Sequence, residues 1–534
     1  MKKLLYTIVV LSLIIEARAG GIVTNTNQSA AFIRMLVRDA STEVDALYFN
    51  PAGLVHLEDG LYVQLNSQTI WQTRTIQTDV AQPQKTIDIR GKTFVPLLPT
   101  GYVVYKHGSW AVGAGFEVIG GGGSVKSEDG LPEFHLQLLD AATNPEKLAR
   151  FGTTTYSADM YFEGSSAYYG AQFNVAYALT ERLSVSAGIR RVVINNSVKG
   201  HIRDISFDFG GGPMMRAVDF FDTLLARVQP AVEGSCKIVD GVKDAGLDPS
   251  VVQLAHLVFF GRITLEQKQQ LEDGLRQFGY TDDQISEMSV QDVKTAYLGI
   301  QTLLGNTKEQ FVDRAVEVRQ TGSGWTPIVG IDYDGGKWGL AIKYEHKTPM
   351  TVVNNTIKDD FGFYPDGREI PNDMPAMLSV GLRYQMQSKL HTQLGFHYYF
   401  DKAARYGRTD DNNNFITNGE EATIAGTTTT LLKGNTYEIG LGAAYQYSST
   451  LQLSAGLLAV RVHPNTVYQN ATSYALSTLT FGTGLAYQVN DRLQLQLAGS
   501  LTLYEPYTRD FGLYSETYDK SAQVVAFGLT YKLQ

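Results

Sequence analysis

Few residues in this sequence have the types and spacing that a catalytic or metal site needs. The single cysteine, Cys236, can form no internal disulfide and matches no metal-ligand spacing. The sequence contains no Gly-x-Ser-x-Gly elbow, no His-Glu-x-x-His motif and no phosphate-binding P-loop. His391 and His397 would share one face of a strand, but no serine and orienting partner accompany them. We therefore predict a protein that is not an enzyme and has no metal or other cofactor.

Several charged residues lie within alternating segments of the sequence. Successive side chains of a strand point to opposite faces, so Lys343 and Glu345 lie on one face of segment 337–351, and its other face is apolar. Arg383 lies on the polar face of segment 374–387 in the same way, and Glu438 lies in a further alternating segment. The elements that position these charges are therefore strands with one apolar and one polar face.

One hairpin plan recurs six times along the chain: an alternating run, a short polar turn and a second alternating run. The copies are at 104–115, 176–188, 332–342, 383–395, 444–456 and 485–499. A soluble sandwich would bury the apolar faces, whereas a transmembrane barrel turns them to lipid and the polar faces to its lumen. A tyrosine shortly before each turn would form an interfacial girdle, which favours the barrel. The six are Tyr105, Tyr177, Tyr333, Tyr384, Tyr445 and Tyr487.

The N-terminus predicts export. Residues 1–19 combine a basic start, an apolar run and an Ala-Arg-Ala cleavage site, which is typical of a signal peptide. No later segment offers the ~20 consecutive apolar residues of a membrane-spanning helix. The net charge of −9 gives no basic field for nucleic acid. An exported chain of alternating strands indicates the bacterial outer membrane.

The predicted fold is all-β: a 14-stranded antiparallel transmembrane β-barrel over 61–534. Fourteen is an even number, so both ends of the chain return to the periplasmic side. The six tight turns then face the periplasm and the longer connections face outside, including 76–91 and 506–520. The connection 205–322 is predicted to be a helical extracellular insertion, because apolar residues recur there at helical spacing. Thr264 and Gln267 match a capping box within it.

Residues 20–60 do not alternate like strands and are predicted to fold back into the lumen as an N-terminal hatch. Their stretch RDASTEVDALYFNPAGL, which contains Asn50, Pro51, Ala52 and Gly53, resembles the hatch of the FadL/toluene-transport family of outer-membrane channels. The resemblance implies that this motif packs inside the barrel and that movement of the hatch opens a path for ligand. Taken alone, the four residues are also an ordinary turn, since Pro fixes one dihedral and Gly permits a positive one.

Two further sets of residues are hatch and wall candidates. The hatch charges Arg34, Arg38, Asp39 and Asp45 could pair with the luminal groups Lys343, Glu345, Arg383 and Glu438, or all could be solvated luminal charges. Glycine inside a strand permits a bend, and the family resemblance implies a kinked third strand through which ligand leaves sideways. The kink candidates are Gly113, Gly115, Gly120 and Gly121. A flexible start to an external loop is the alternative for the run at 120–123.

The predicted function is passive uptake of hydrophobic small molecules, long-chain fatty acids first and aromatic hydrocarbons second. The ligand would be captured at the external mouth, pass the hatch and leave sideways into the outer membrane, and the partners would be that ligand and membrane lipid around a monomer. One alternative is a surface adhesin or partner-binding barrel that acts through 213–320. A general porin for polar solutes is the other, and a luminal hatch would obstruct it.

Overall fold

A computed structural model describes residues 29–533. The predicted signal peptide, 1–19, and the start of the predicted hatch lie outside this part of the chain. The helices are α1 (Ala30–Met35), α2 (Ala46–Phe49), α3 (Pro132–Thr143), α4 (Ala217–Asp244), α5 (Leu254–Phe259), α6 (Leu265–Gln277), α7 (Asp282–Glu287) and α8 (Val290–Glu309). None of the described helices has the length and apolar character needed to cross a membrane.

The strands follow in chain order. They are β1 (Gly60–Val80), β2 (Lys85–His107), β3 (Trp110–Ser127), β4 (Tyr156–Ala178), β5 (Leu183–Phe207), β6 (Met215–Arg216), β7 (Arg314–Asp334), β8 (Trp338–Glu345), β9 (Thr351–Asp359), β10 (Glu369–Pro371), β11 (Met377–Gln387), β12 (Leu390–Tyr399), β13 (Ala422–Ile424), β14 (Thr427–Thr429), β15 (Tyr437–Gln446), β16 (Leu451–Arg461), β17 (Thr478–Asn490), β18 (Leu493–Tyr504), β19 (Tyr507–Asp510) and β20 (Tyr514–Lys532).

Eighteen of these strands form one antiparallel sheet that closes into a barrel, because β1 pairs with both β2 and β20. The wall has fourteen positions, which confirms the predicted number. Three positions hold two consecutive strands each: β8 with β9, β10 with β11, and β18 with β19. The short β6 adds to β5, and β13 and β14 form a separate hairpin. Because β1 pairs with β20, this sheet of the described residues has no outermost strand with a free edge, which is the condition for a sheet to stand in lipid.

The barrel is apolar outside and polar inside. On β18, Leu495, Leu497 and Leu501 are exposed, whereas Gln496 and Ala498 between them are buried. The six predicted tight turns are confirmed, and they lie at the end where β1 begins and β20 ends. Tyr105, Tyr384, Tyr445 and Tyr487 are exposed close to these turns, and Tyr177 and Tyr333 pack against Trp110 and Trp338. This ring of aromatic side chains marks one membrane interface.

Two predicted outer loops are wrong. Most of 76–91 is strand, since β1 runs to Val80 and β2 starts at Lys85, and most of 506–520 is likewise strand in β19 and β20. The predicted insertion is also too long, because β5 reaches Phe207 and β7 begins at Arg314. The strand residues in these three regions of the chain lie beyond the apolar band of the barrel. The side chains that point outward there are polar. The alternation of hydrophobicity therefore stops before the strand does.

The described residues divide into two compact units, a barrel unit (29–135, 160–201 and 315–533) and an insert unit (136–159 and 202–314). The insert unit is held by rings that pack on one another, among them Phe207, Phe221 and Phe311. The predicted capping box is confirmed: Thr264 Oγ1 accepts from the Gln267 amide at 3.0 Å, and Gln267 Oε1 accepts from the Thr264 amide at 2.8 Å.

Candidate functional site

Residues 29–57, which we call the hatch, fold inside the barrel unit as α1, α2 and a 3-10 helix at Pro51–His56. Nearly all their side chains are buried, including the charged Arg34, Arg38 and Asp45. Ser29 caps α1 by accepting from the Phe32 amide, and the Ala30 amide donates to Asn66 of β1 at 3.2 Å. The hatch therefore occupies the lumen in a fixed conformation.

A set of luminal glycines lets the hatch backbone lie directly on the wall. A Cβ atom on Gly456 of β16 would stand 1.7 Å from the carbonyl oxygen of Met35, and one on Gly482 would stand 2.3 Å from that of Ile33. Side chains other than hydrogen are thus excluded at these positions. We call the glycines of the wall that contact the hatch in this way the glycine seats: Gly330, Gly381, Gly395, Gly440, Gly442, Gly456, Gly482 and Gly484.

The Asn-Pro-Ala-Gly motif joins the hatch to the wall at β7. The side-chain Nδ2 of Asn50 donates to the Ile331 carbonyl at 2.9 Å, and the side-chain Oδ1 of Asn50 accepts from the backbone amide of Ala52 at 3.2 Å. Pro51 takes the first position of the 3-10 helix, where its missing N–H has no intrahelical partner to lose. Gly53 is required by close approach, because a Cβ there would stand 2.1 Å from the Ser41 carbonyl oxygen.

Arg38 is the centre of the hatch itself. Its guanidinium donates to both oxygens of Asp45, at 2.6 and 2.8 Å, and also to Glu43 at 2.7 Å. Ser41 completes this network, which we call the Arg38 clamp, by donating to Asp45 at 2.6 Å. Burial alone would lower the pKa of Arg38, but the two carboxylates raise it, so the guanidinium stays charged.

Of the four hatch charges, one reaches a charged or ionisable group of the wall. Asp39 is 2.5 Å from His397 Nε2, and His397 Nδ1 is 2.7 Å from Glu438. Arg38 and Asp45 instead pair with each other, and Arg34 binds the neutral Gln452 and Ser454 of β16. His397 thus links Glu438 of the wall to Asp39 of the hatch.

The predicted luminal charges Lys343 and Glu345 belong to a buried network around Tyr48 of the hatch. Lys343 donates to the Tyr48 carbonyl at 2.9 Å and to Glu345 at 2.6 Å. Arg190 of β5 binds Glu345 through two nitrogens, at 2.7 and 3.1 Å, and its guanidinium lies 4.9 Å from the centre of the Tyr48 ring. The wall thus holds both the backbone and the ring of Tyr48.

Arg383 lies elsewhere, at the end of the lumen close to the tight turns. It binds both oxygens of Asp332 at 2.6 and 3.0 Å, and Asp332 also contacts His56 of the hatch at 2.8 Å. Arg190, Asp332 and His56 were not predicted. The alternation that places Lys343 on a polar face also places Arg190 on one, so the sequence held a usable signal for Arg190. Asp332 stands three residues before Gly335 and Gly336 and resembles a turn residue.

The four predicted kink glycines separate into two pairs. Gly113 and Gly115 lie in regular β3 pairing beneath Leu47 of the hatch, which a Cβ on either residue would contact at 2.5 and 3.0 Å. Gly120 and Gly121 lie where the register of β3 against β4 shifts, and Gly121 has φ of 98°. Only the second pair is positioned to distort the strand.

The barrel wall has a gap between β2 and β3. Their pairing stops at Gly101 with Phe116 and resumes only at Lys92 with Lys126, so 93–100 and 117–125 are not paired with each other. Pro96 and Pro99 of β2 have no N–H to donate across this gap. The facing segment of β3, 117–125, contains the glycine run at 120–123, where the pairing of β3 with β4 loses its regular register. Glu117 lies in this segment, 3.5 Å from Arg190.

A small cavity of about 50 Å³ lies between the hatch and the wall. Its lining combines apolar side chains with three ionisable ones: Phe32, Tyr48, Phe49, Met377 and Leu458 with Lys343, His397 and Glu438. A drug-sized ligand needs roughly 300 Å³ or more. This cavity is therefore too small for such a ligand, and we call the hatch conformation that leaves it this small the closed one. A larger groove, of about 470 Å³, lies on the lipid-facing wall around Leu495 and Phe527 and is not part of this site.

No protein-family model and no curated protein matches this sequence. Solved structures do match it in fold. A Pseudomonas aeruginosa FadL homologue aligns over 97% of this chain and 100% of its own, with 12% identity and a TM-score of 0.54. A monoaromatic hydrocarbon channel, the TodX deltaS2S3 mutant, aligns over 94% of this chain and 98% of its own, with 14% identity and a TM-score of 0.50.

The shared feature is the fourteen-position barrel, and the alignment with the FadL homologue covers it from end to end. The apolar outer face and the aromatic ring at the tight turns place this barrel in the bacterial outer membrane. The chain therefore has the fold of the FadL-type outer-membrane channels.

Proposed function

We propose that the chain is an outer-membrane channel for passive uptake of hydrophobic small molecules, long-chain fatty acids first and aromatic hydrocarbons second. The observation that carries this proposal is an apolar cluster inside the barrel, where a porin for polar solutes would have water-lined walls. Buried side chains of the hatch meet buried side chains of five strands in this cluster: Leu47, Tyr48 and Phe49 with Tyr102, Ile119, Tyr168, Val192, Ile194 and Val352. An apolar ligand finds a favourable environment there.

The solved structures with the same fold support this proposal, since one is a FadL homologue and another is a monoaromatic hydrocarbon channel. In the proposed mechanism, ligand enters at the outer mouth and reaches the apolar cluster. The hatch then shifts on its glycine seats and enlarges the cavity beside Phe32 and Phe49. The ligand leaves through the gap between β2 and β3 into the membrane.

Uptake of labelled oleate tests the proposal in cells that lack their own fatty-acid channel. The protein should restore uptake, and the double change Asn50→Ala with Pro51→Ala should reduce it by roughly tenfold or more, because the hatch loses its hydrogen bond to the wall and its fixed turn. Asn465→Ala is a matched control, because Asn465 also caps a 3-10 helix but lies in an outer loop. Absence of uptake by the unchanged protein would remove fatty acids as ligands and leave aromatic hydrocarbons to test.

Lateral release can be tested by removing the distortion of β3 at the gap. Deleting Gly121 and Gly122 removes the two extra residues by which β3 exceeds β4, so β3 should pair regularly with β4 and lose its distortion beside β2. We expect oleate uptake to fall to the level of cells without the channel, with the surface amount unchanged. Deletion of Asn412 and Asn413 from an outer loop serves as the control. Full uptake by the Gly121–Gly122 deletion would show that ligand does not leave between β2 and β3.

A second candidate function is partner binding through the insert unit. Phe259 and Phe260 are 84% and 70% exposed at the end of α5, with Leu247, Val251 and Leu265 also exposed on this unit. An apolar patch of this kind is typical of interaction sites. Because β7 begins at Arg314, the test is removal of α4 to α8, 217–309, and not of the wider predicted range. Retained oleate uptake with lost binding to host cells would favour the adhesin.

A further inference from the structure

Arg191 of β5 lies on the lipid-facing side of the barrel wall. Arg190 and Arg191 are successive residues of one strand, so their side chains point to opposite faces of the sheet. Arg190 is buried in the lumen, and Arg191 therefore points outward. Its neighbours on the same face, Ile189 and Val193, are 42% and 38% exposed, as apolar residues in contact with lipid are. A charge on this face is costly unless an opposite charge accompanies it.

The level of Arg191 in the membrane follows from the aromatic side chains of the wall. Trp325 of β7 lies eight residues before Tyr333, which stands close to a tight turn, and Tyr437 of β15 lies eight residues before Tyr445 in the same way. Eight residues of a strand tilted by roughly 40° rise about 20 Å, close to the height of the apolar band of such barrels. Trp325 and Tyr437 therefore mark the interface on the external side of the membrane.

Arg191 is fixed at this level by two outward side chains of β7, the neighbour of β5 in the sheet. Its guanidinium carbon lies 5.0 Å from the centre of the Trp325 ring, and a guanidinium nitrogen donates to Ser323 Oγ at 2.6 Å. The ring attracts the cation and orients its plane. A guanidinium has five N–H donors, so the hydrogen bond to Ser323 leaves donors for a further acceptor.

The charge of Arg191 is not matched by an acidic side chain. Among residues 29–533, no carboxylate forms an ion pair with its guanidinium, and both Ser323 and Trp325 are neutral. Another outward arginine, Arg461 at the outer end of β16, does have such a partner, because it donates to Glu505 at 2.6 Å. A guanidinium held at the interface without a carboxylate suits an anion that the surroundings supply.

Phosphate is the anion that membrane lipids supply at this level. Lipid headgroups lie where the interfacial Trp and Tyr rings lie, and basic side chains bind them there. A guanidinium binds phosphate through two parallel N–H···O bonds. Toward the tight turns, the same part of the wall presents exposed apolar side chains on which acyl chains can lie: Ile189, Val329 and Ile331.

We propose that Arg191 and Trp325 form a site on the outside of the barrel for the phosphate of an outer-leaflet lipid, whose acyl chains lie along Ile189, Val329 and Ile331. The site faces away from the lumen and the hatch, so it does not depend on the proposed uptake function. A free phosphate ion has the same oxygens but no acyl chain, and it therefore gains nothing from the apolar wall.

The test is equilibrium binding of lipid A, a phosphorylated glycolipid, to the purified full chain in a neutral detergent, beside lipid A from which the phosphates have been removed. Arg191→Gln removes the charge and keeps a donor for Ser323. We expect the Kd for lipid A to rise about tenfold or more and the Kd for the dephosphorylated lipid to stay unchanged. Arg461→Gln is the matched control, because that outward arginine already has a carboxylate partner. Heat-dependent gel mobility verifies that each barrel is folded.

Two results would overturn the site: unchanged affinity for lipid A in the folded Arg191→Gln protein, or an equal loss of affinity for the two lipids. Trp325→Leu should also weaken the binding of lipid A, and unchanged binding would contradict the role of the ring. Inorganic phosphate should not displace lipid A at millimolar concentration. Displacement would show that the site takes a free anion rather than a lipid.

Discussion

Gly456→Ala should make the closed barrel conduct ions. The added Cβ would stand 1.7 Å from the Met35 carbonyl oxygen, well inside contact distance, and both atoms belong to rigid backbone segments. Overpacking of this kind costs about 1–3 kcal/mol or more, which shifts the closed hatch toward displaced positions by about tenfold to a hundredfold. The displaced hatch no longer fills the lumen. We expect the open fraction in planar bilayers to rise by that factor.

The matched control is Gly499→Ala on β18. Its added Cβ would have its nearest neighbour, the Val524 carbonyl oxygen, at an ordinary 3.6 Å and would not touch the hatch. This variant should remain as non-conducting as the unchanged protein. Equal conductance of the Gly456→Ala and unchanged proteins, with both barrels folded, would contradict the idea that the glycine seats hold the hatch closed.

Arg38→Met should release the hatch while leaving the barrel folded. The change leaves the buried Asp45 carboxylate without its two hydrogen bonds from the guanidinium. Removing one partner of a buried ion pair costs about 3–5 kcal/mol. That amount is large for a segment of fewer than thirty residues but small for a closed fourteen-position barrel. We expect protease to cut within 29–57 in the variant and not in the unchanged protein.

The Arg38 clamp also predicts a rescue. Most of the cost comes from the unpaired carboxylate, so adding Asp45→Asn to Arg38→Met should restore much of the protease resistance. Glu43, with its side chain nearly half exposed, can be solvated without its partner. A double variant that is cut as fast as Arg38→Met alone would show that the guanidinium acts through packing rather than through charge.

The barrel and the hatch differ in how far the sequence could predict them. Period-two alternation and turn residues are local signals, so fourteen strands and six tight turns could be read from residues such as Leu493 to Leu497 and Asn490. The same signal failed beyond the apolar band at 76–91 and 506–520, because outward residues there face water and no longer alternate in hydrophobicity.

The sequence by itself determined the barrel, the side of each tight turn and the place of the Asn-Pro-Ala-Gly motif before the first strand, because these depend on neighbouring residues. Only the tertiary structure decided the partners of each charge. Arg38 binds Asp45 within the hatch, whereas Lys343 and Arg190 meet at Glu345 from different strands. Only the tertiary structure also showed that Gly456 contacts the hatch backbone, whereas Gly121 lies where β3 loses its regular pairing. A glycine has no side chain from which its neighbours could be predicted, so its role depends on which backbone approaches it.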